Sequence, residues 1–513
     1  MAKSSASRCG ATVSIILILV AGSSAPKAAD ESTSLWTRGG RLTPQAEQLI
    51  GSMKSAEIFG LSSVDFADAV SAIESSRAGP ADSLAESTIS AATSRLVHQL
   101  HDGRVDPRAA GYELTRRRAP FDSDAALRQL AEARDVRTAL AAFEPDTSQY
   151  RSLKQTLARY RRIPSELNLL PALPKRSIEA GDRYAGSEKL RSLLAEFGDD
   201  AAPAEAAPID GVYDERLAAA VIRFQRRHGL TEDGVIGART YAALTVPIER
   251  RIRQIELTME RWRWLPDIEP PAVIVNVPQY MLYALPDPAD RAAVPAKIPV
   301  IVGQSAKQTP IFDSAIEAIV FRPYWNVPRS IVLEEMLPRI SRDPAYLAKH
   351  DLEIVRGGGD DAVVLPADSN AVSALRAGRA RLRQRPGRSN ALGLIKFVLP
   401  NPYSVYLHST PEAQLFARDL RALSHGCIRV SDASALAAYL LKGNDGNWDV
   451  AAIEAATCGS ETFTVRIAKP VPVFILYGTV VIDTNGEALF FDDVYGHDRK
   501  LEALLAVRPV MTR

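Results

Sequence analysis

The sequence predicts a multidomain α+β protein, helical in its first half and mainly β in its second, with a helical insert. Three observations carry this. The 513 residues give room for about three domains. Residues 40 to about 150 are rich in Ala, Leu and Arg, with apolar residues at helical spacing. From about residue 270 the pattern changes to short β-branched and aromatic runs punctuated by Pro, Gly, Asn and Asp.

Composition narrows the class. A hydrophobic content of 46% with 24% charged residues is ordinary for a globular chain. The formal net charge of +1 gives no nucleic-acid footprint, which needs a strongly basic domain.

The chain opens like an export signal. Lys3 and Arg8 form a positive n-region, and GATVSIILILVAG (10–22) is a short apolar run. Small residues follow, which places cleavage after Ala25 or Ala29, so that 1–29 is a signal peptide. The apolar run falls short of the ~20 residues that span a bilayer. The expectation is a periplasmic chain without a membrane anchor. Cys9 leaves with the signal, and the mature chain keeps Cys427 and Cys458. Outside the cytoplasm two thiols often pair.

The first helical module is expected over 35–180. PQAEQLIGSMKSAE, LAESTISAATSRLVHQLHDG and DAALRQLAEARDVRTALAAF carry its helical patterns, and ADSLAES and DSDAAL hold Asp and Ser at N-cap positions. His98 and His101 read as surface or packing residues. PAEAAPIDG (203–211) interrupts the pattern. A small helical module follows, within 183–246. Asp210-Gly211 and Asp233-Gly234 flank a helix with Leu217, Val221 and Phe224 on one face, Ala220 beside them and Gly229 as its stop.

The β domain is expected over 270–505. PAVIVNVPQYMLYAL, AKIPVIVGQ, EAIVFRPYWNV, LIKFVLP, YSVYLH, FTVRIA and PVFILYGTVVID are its strands. An insert at about 330–390 holds helical SIVLEEMLPRI and then RAGRARLRQRPGR, six arginines in thirteen residues. Two readings stand for that arginine run: a solvated helix face and loop, or a mobile flap over a site for anionic substrate.

The chemistry concentrates in YLHSTPEAQLFARDLRALSHGCIRV (406–430). YSVYL delivers His408 at a strand end, and helix-like PEAQLFARDL follows. Cys427 comes directly after Gly426, with the helical DASALAAYLLK beyond. A nucleophilic thiol needs a base, and imidazole suits because its pKa lies near working pH. The glycine allows a tight turn with N–H groups near the sulfur. A following helix N-terminus would favour thiolate. Other readings fit the same residues: zinc on His408, His425 and Cys427, a Cys427–Cys458 disulfide, or core packing. No fourth zinc ligand and no CxxC or HExxH spacing accompanies the first.

The string His408-Ser409, then Ser424-His425-Gly426-Cys427-Ile428-Arg429, resembles the signature of the L,D-transpeptidase catalytic domain (YkuD type). ERWRWLP (260–266), VGQSAKQTPIF (302–312), FRPYWNVPRSI (321–331) and NALGLIKFVLPNPYSVYLHSTP (390–411) are similar to its large periplasmic YcbB-like branch. The 210–244 module resembles a three-helix peptidoglycan-binding domain, and the N-terminal helices resemble the branch's scaffold domain.

The resemblance implies Cys427 as nucleophile and His408 as general base. It places Ser409 as a residue that orients the pair. Ser424, His425 and Gly426 shape the turn and oxyanion hole. Many relatives carry Asn where this chain has Arg429, which either clamps a substrate carboxylate or makes a structural ion pair. Cys458 has no place in the signature. Trp262, Trp264, Tyr324 and Trp325 either stack on substrate or pack the core.

The implied reaction needs no metal, cofactor or nucleotide. The donor is a peptidoglycan tetrapeptide stem, the acceptor a diamino acid side chain on a second stem, and the product a 3→3 cross-link. Glycan strands are further partners, and carbapenems should acylate Cys427. The same Cys-His pair would also serve an L,D-carboxypeptidase, a wall-protein hydrolase or transfer to a lipoprotein lysine. A non-catalytic wall-binding scaffold is the reading from another class.

Overall fold

The computed structural model describes residues 34–76, 83–200, 211–289, 296–343, 345–359 and 361–507. The expected signal (1–29), Cys9 and the N-cap in ADSLAES lie outside the described residues, as does most of PAEAAPIDG. Among the described residues no helix is long and apolar enough to cross a membrane. The chain is a mixed α+β protein with helical N-terminal regions and a C-terminal β-rich domain built on a barrel-like sheet.

The N-terminal helices close around Trp36, Phe59 and Phe66, all fully buried. Pro44–Lys54 shows how the sequence dictates this. Ala46, Leu49, Ile50 and Met53 recur at helical spacing and are its buried face. Thr43 accepts the Ala46 N–H and caps its start, as Asp122 does for Ser123–Glu132 and Asp135 for Val136–Ala141.

The second module packs helices Ser187–Phe197, Glu215–Arg227 and Ala238–Leu244. Leu217, Ala220, Val221 and Phe224 all reach 0% exposure, as their spacing predicts. Buried Gln225 receives the Gly234 N–H at 2.8 Å and donates to the Val235 carbonyl at 3.0 Å, so it ties the Asp233-Gly234 turn to the helix. This module shares its core with Val480, Ile482, Ala488 and Phe490 of the β domain.

Helix Ile248–Arg263 joins the parts. Its Glu260 accepts the Val105 N–H at 3.0 Å, and Arg261 donates to Asp498 at 2.6 Å. Arg263 donates to the Tyr150 hydroxyl at 2.9 Å. Breaking one such pair would strand a buried charge.

The strands that matter begin with β1 (Tyr112–Glu113) from the first helical region, then β2 (Ala272–Asn276), β3 (Met281–Leu285), β4 (Ala296–Gly303) and β5 (Ile311–Phe321). Strands β6 (Trp325–Asn326), β7 (Leu352–Arg356), β8 (Val363–Val364) and β9 (Arg381–Gln384) belong to the insert and its root. Then come β10 (Ile395–Val398), β11 (Leu407–His408), β12 (Ala422–Ser424), β13 (Ile428–Val430) and β14 (Phe463–Leu476). A final hairpin pairs β15 (Val480–Ile482) with β16 (Ala488–Phe490).

Strands β10, β11, β13, β4, β3, β2, β14 and β5 pair in that order, and β5 pairs back onto β10, closing a ring. Alternation sends Leu282, Val300, Leu407, Ile428 and Val473 inward to a shared core. Strand β1 adds to β5 through Tyr112↔Ile311, and Asp313 accepts the Thr115 hydroxyl at 2.7 Å. The first helical region is thereby hydrogen-bonded into the barrel-like sheet.

The insert differs from a loop. Strands β8, β7, β9 and β6 form a sheet, backed by a separate core that includes Val332, Leu337, Ile340, Ile354, Leu375 and Leu382. Within the arginine run, Arg376 ends helix Ser369–Arg376 and Arg379 is exposed in the turn after it, while residues 381–384 form β9, where Arg383 pairs across the register with Glu353 and their side chains meet at 2.9 Å. Arg381 donates to the Gly357 carbonyl, and Arg385 pairs with Asp351. Arg383 inside the strand and Arg385 just after it are paired with carboxylates, and Arg376, Arg379 and Arg388 stay exposed in the flanking helix end and loops. Fully buried Asn390 donates to the carbonyls of Pro323 and Arg385, stitching the insert's entry to its exit.

Candidate active site

Strands β11 and β13 run parallel, with Leu407 opposite Ile428 and His408 opposite Arg429. Cys427 stands one residue before β13, at the level of Tyr406, whose carbonyl accepts the Ile428 N–H at 3.1 Å. Leu407 and Ile428 point into the core, so alternation turns Tyr406, His408 and Arg429 to the opposite face. Lys396 of β10 lies opposite His408 and joins that face. The fold thus brings His408 and the Cys427 turn onto adjacent strands.

His408 is 4% exposed, and its Nδ1 lies 2.6 Å from the Ser409 carbonyl oxygen. A carbonyl can only accept, so Nδ1 carries the hydrogen and Nε2 keeps its lone pair. Burial, with Arg429 and Lys396 adding, lowers the His408 pKa to about 4. The imidazole is therefore neutral near pH 7.

Burial also pushes the Cys427 thiol up, opposed by the Tyr406 N–H, the Tyr406 hydroxyl and the charges of Lys396 and Arg429. The helix expected to lower it does not begin at the cysteine: β13 intervenes, and the helix starts at Ala433 under an Asp432 cap. A helix dipole acts within about one turn, which leaves Cys427 outside its reach. At rest the thiol and the imidazole are both neutral, and the thiol sulfur lies 4.0 Å from the Ser404 carbonyl oxygen.

The turn is held from within. Ser424 Oγ accepts the Gly426 N–H at 3.1 Å and donates to the Cys427 carbonyl at 2.6 Å. The Gly426 N–H, expected to face an oxyanion, is thus engaged inside the turn. Among the described residues the Cys427 N–H meets no acceptor. Gly426 adopts φ +115°, a conformation that favours glycine. Ser409 orients His408 through its carbonyl. Its hydroxyl accepts the Leu394 and Ile395 N–H groups at 2.8 and 3.0 Å, bracing the start of β10.

His425 turns away from the pair, so the three residues considered for zinc do not converge: its Nε2 lies 2.7 Å from Glu335 of the insert. Lys307 approaches the same carboxylate at 3.2 Å. Arg429 makes an ion pair with Glu412. Expected helix-like PEAQLFARDL is only a 3-10 turn, Ala413–Ala417, with no buried residue to hold a longer helix. Cys427 and Cys458 are both free thiols. Trp264 is buried core, Trp262 is half-buried, and Tyr324 lies under the Arg383 guanidinium at 4.1 Å. Trp325 reaches the site, beside the Tyr406 hydroxyl.

Sequence reasoning missed Tyr406, Lys396 and Glu335. Tyr406 had a signal: in strand-like YSVYLH it stands two residues before His408, hence on the same face. Its ring centroid lies 5.8 Å from that of His408, with Lys396 Nζ 4.2 Å from its own. Glu335 and Lys396 arrive from distant segments and carried none.

Comparison with known proteins agrees with this anatomy. Residues 270–467 match the YkuD family, described as the L,D-transpeptidase catalytic domain. Residues 28–157 match the Scaffold domain, and residues 184–244 the "Putative peptidoglycan binding domain". A Haemophilus influenzae protein named "Putative L,D-transpeptidase" is 34% identical over 249 residues, 48% of this chain and 49% of that protein. The chain thus spans about half the length of the curated relative it matches. Residues 270–467 thus match the L,D-transpeptidase catalytic domain of the YkuD family, on one chain with residues 184–244 that match a putative peptidoglycan-binding domain.

Proposed function

We propose that this chain is a peptidoglycan L,D-transpeptidase of the YcbB-like kind, working outside the cytoplasm through a Cys427 thioester. The observation that carries the reading is the His408 tautomer: Nδ1–H is committed to the Ser409 carbonyl, which leaves Nε2 as a base for Cys427, one residue before the strand that pairs with that of His408. A neutral base and a neutral thiol are what a proton transfer coupled to attack requires.

The Cys427 proton passes to His408 Nε2 as sulfur bonds to the carbonyl of the third residue of a donor stem. The Cys427 N–H stabilises the oxyanion. Collapse expels the terminal D-Ala, whose amine takes the proton from His408, and leaves a thioester. The side-chain amine of an acceptor stem then attacks, His408 accepts its proton, and the thiol is restored with a 3→3 amide formed. The insert above His425, the bound scaffold region and the peptidoglycan-binding module support a substrate as large as a cross-linked wall.

Intact-mass measurement after incubation with a carbapenem tests the nucleophile. A single adduct is expected, lost in Cys427→Ser. No adduct on the wild-type chain sinks the reading. Muropeptide analysis with the purified chain tests the acceptor: 3→3 dimers are expected, and tripeptides without dimers would assign hydrolysis instead.

A further inference from the structure

We propose that Thr309 is a positioning residue that aims the oxyanion donor of the catalytic turn. This rests on the acyl transfer proposed above. Thr309 is fully buried beneath the turn. Its hydroxyl accepts the Gly303 N–H at 2.9 Å and donates to the Gly426 carbonyl at 2.8 Å. Its N–H donates to the Tyr495 hydroxyl at 3.2 Å, and that hydroxyl donates in turn to the Gly303 carbonyl. The Gln304 N–H reaches the Ser424 carbonyl at 2.9 Å. Segment 303–309 is therefore a hydrogen-bonded bed for residues 424–427. Its return is tight: a Cβ at Gly303 would stand 2.2 Å from the Lys307 oxygen.

The consequence falls on the peptide unit between Gly426 and Cys427. In a trans peptide the C=O and N–H point in opposite directions. With the Gly426 oxygen drawn down onto Thr309, the Cys427 N–H must point away from the bed, to the open side of the turn. Glycine rotates freely, so this unit has little intrinsic resistance to flipping. Ser424 holds the N–H before it and the carbonyl after it. Among the described residues, the Thr309 hydroxyl is the donor that holds the carbonyl of the unit itself. Thr309 thus acts on the reaction without touching the substrate.

Two reactions of one thiol separate this role from a merely structural one. Acylation by a carbapenem builds an oxyanion, whereas alkylation by iodoacetamide does not. Both are followed in the full chain by mass spectrometry of the Cys427 peptide. Thr309→Val, which keeps shape and removes the hydroxyl, should slow acylation by about 10- to 100-fold, less than the ~100- to 1,000-fold of removing an oxyanion donor outright. Alkylation should stay within about twofold, and Thr309→Ser should restore most of the acylation rate. A folded Thr309→Val chain that acylates normally, or that loses both reactions equally, overturns the assignment. If that variant does not fold, Tyr495→Phe, which removes the acceptor of the Thr309 N–H, carries the same comparison. A selective loss of acylation supports the assignment, and unchanged or equal losses overturn it. A wild-type chain that alkylates but takes no carbapenem sinks the proposed function itself, and the assignment with it.

Discussion

His408 and Arg429 stand opposite one another in the parallel pairing of β11 and β13. The strand that presents the base therefore also receives a guanidinium beside it, on the face that Cys427 precedes by two residues. That charge, with Lys396 and above all burial, holds the His408 pKa at about 4.

The acid limb of the reaction should lie unusually low. An ordinary histidine, with a pKa near 6.5, would be mostly protonated at pH 5.5 and lost as a base. His408 should stay neutral there, so the carbapenem acylation rate should be nearly flat from pH 7 down to about pH 5. A stopped-flow pH profile checks this. A limb centred near 6.5 would contradict the buried, cation-flanked imidazole.

The same shift makes stability depend on pH. The folded pKa of His408 lies below its unfolded value, so the unfolded chain binds the proton first. Its contribution is constant above about pH 6.5, falls as pH drops through the window from 6.5 to 4, and levels off below. The full span is about 3 kcal/mol by order of magnitude. Chemical denaturation at pH 7 and pH 5 in wild type and His408→Gln should show a smaller pH-dependent loss in the variant.

Much of this was legible in the sequence because local chemistry carried it. Leu217, Val221 and Phe224 announce their helix face by spacing alone, and His408 with Cys427 announce the site by motif. What stayed hidden depends on strand order. The parallel register that puts Arg429 opposite His408, the β10 pairing that brings Lys396 onto that face and the contact of Glu335 with His425 are relations between remote segments. The short strand inside the 376–388 run was hidden for the same reason. Alternating Arg381, Arg383 and Arg385 look like a solvated charge run until β7 supplies Glu353 across the ladder.

Glu335 should couple the insert to the catalytic turn at little cost in stability. It is partly exposed, and such pairs contribute about 0–1 kcal/mol. Glu335→Gln should therefore leave the melting temperature nearly unchanged. Because the carboxylate meets both His425 and Lys307, its loss should raise hydrogen exchange at the insert helix and at residues 424–427 together. Exchange that rises in the helix alone would show that the turn does not feel the insert.

Tyr406→Phe should make the thiol harder to ionise. The hydroxyl is one of the groups that offset burial at Cys427. Its removal should move the iodoacetamide pH profile of Cys427 to higher pH, with alkylation at pH 7 slowed by severalfold. An unchanged profile would assign the offset to the Tyr406 N–H and the nearby cations instead.

Arg429 offers the sharpest sign test, because one charge acts on two groups in the same direction. A cation beside an imidazole disfavours its protonation, and a cation beside a thiol favours its loss of a proton. Both pKa values are therefore held down by the guanidinium. Arg429→Gln should raise both, moving the acid limb of acylation up from about 4 and the alkylation profile upward as well. Glu412→Gln removes the anion paired with Arg429 and leaves the cation uncompensated, so it should move both limbs the other way. The two variants also separate electrostatics from substrate recognition. If Arg429 acts through charge on His408 and Cys427, the shifts appear with iodoacetamide, which has no carboxylate to clamp. Shifts confined to stem-peptide substrates, with alkylation unmoved in both variants, would instead make Arg429 a carboxylate clamp that Glu412 occupies in the substrate-free chain.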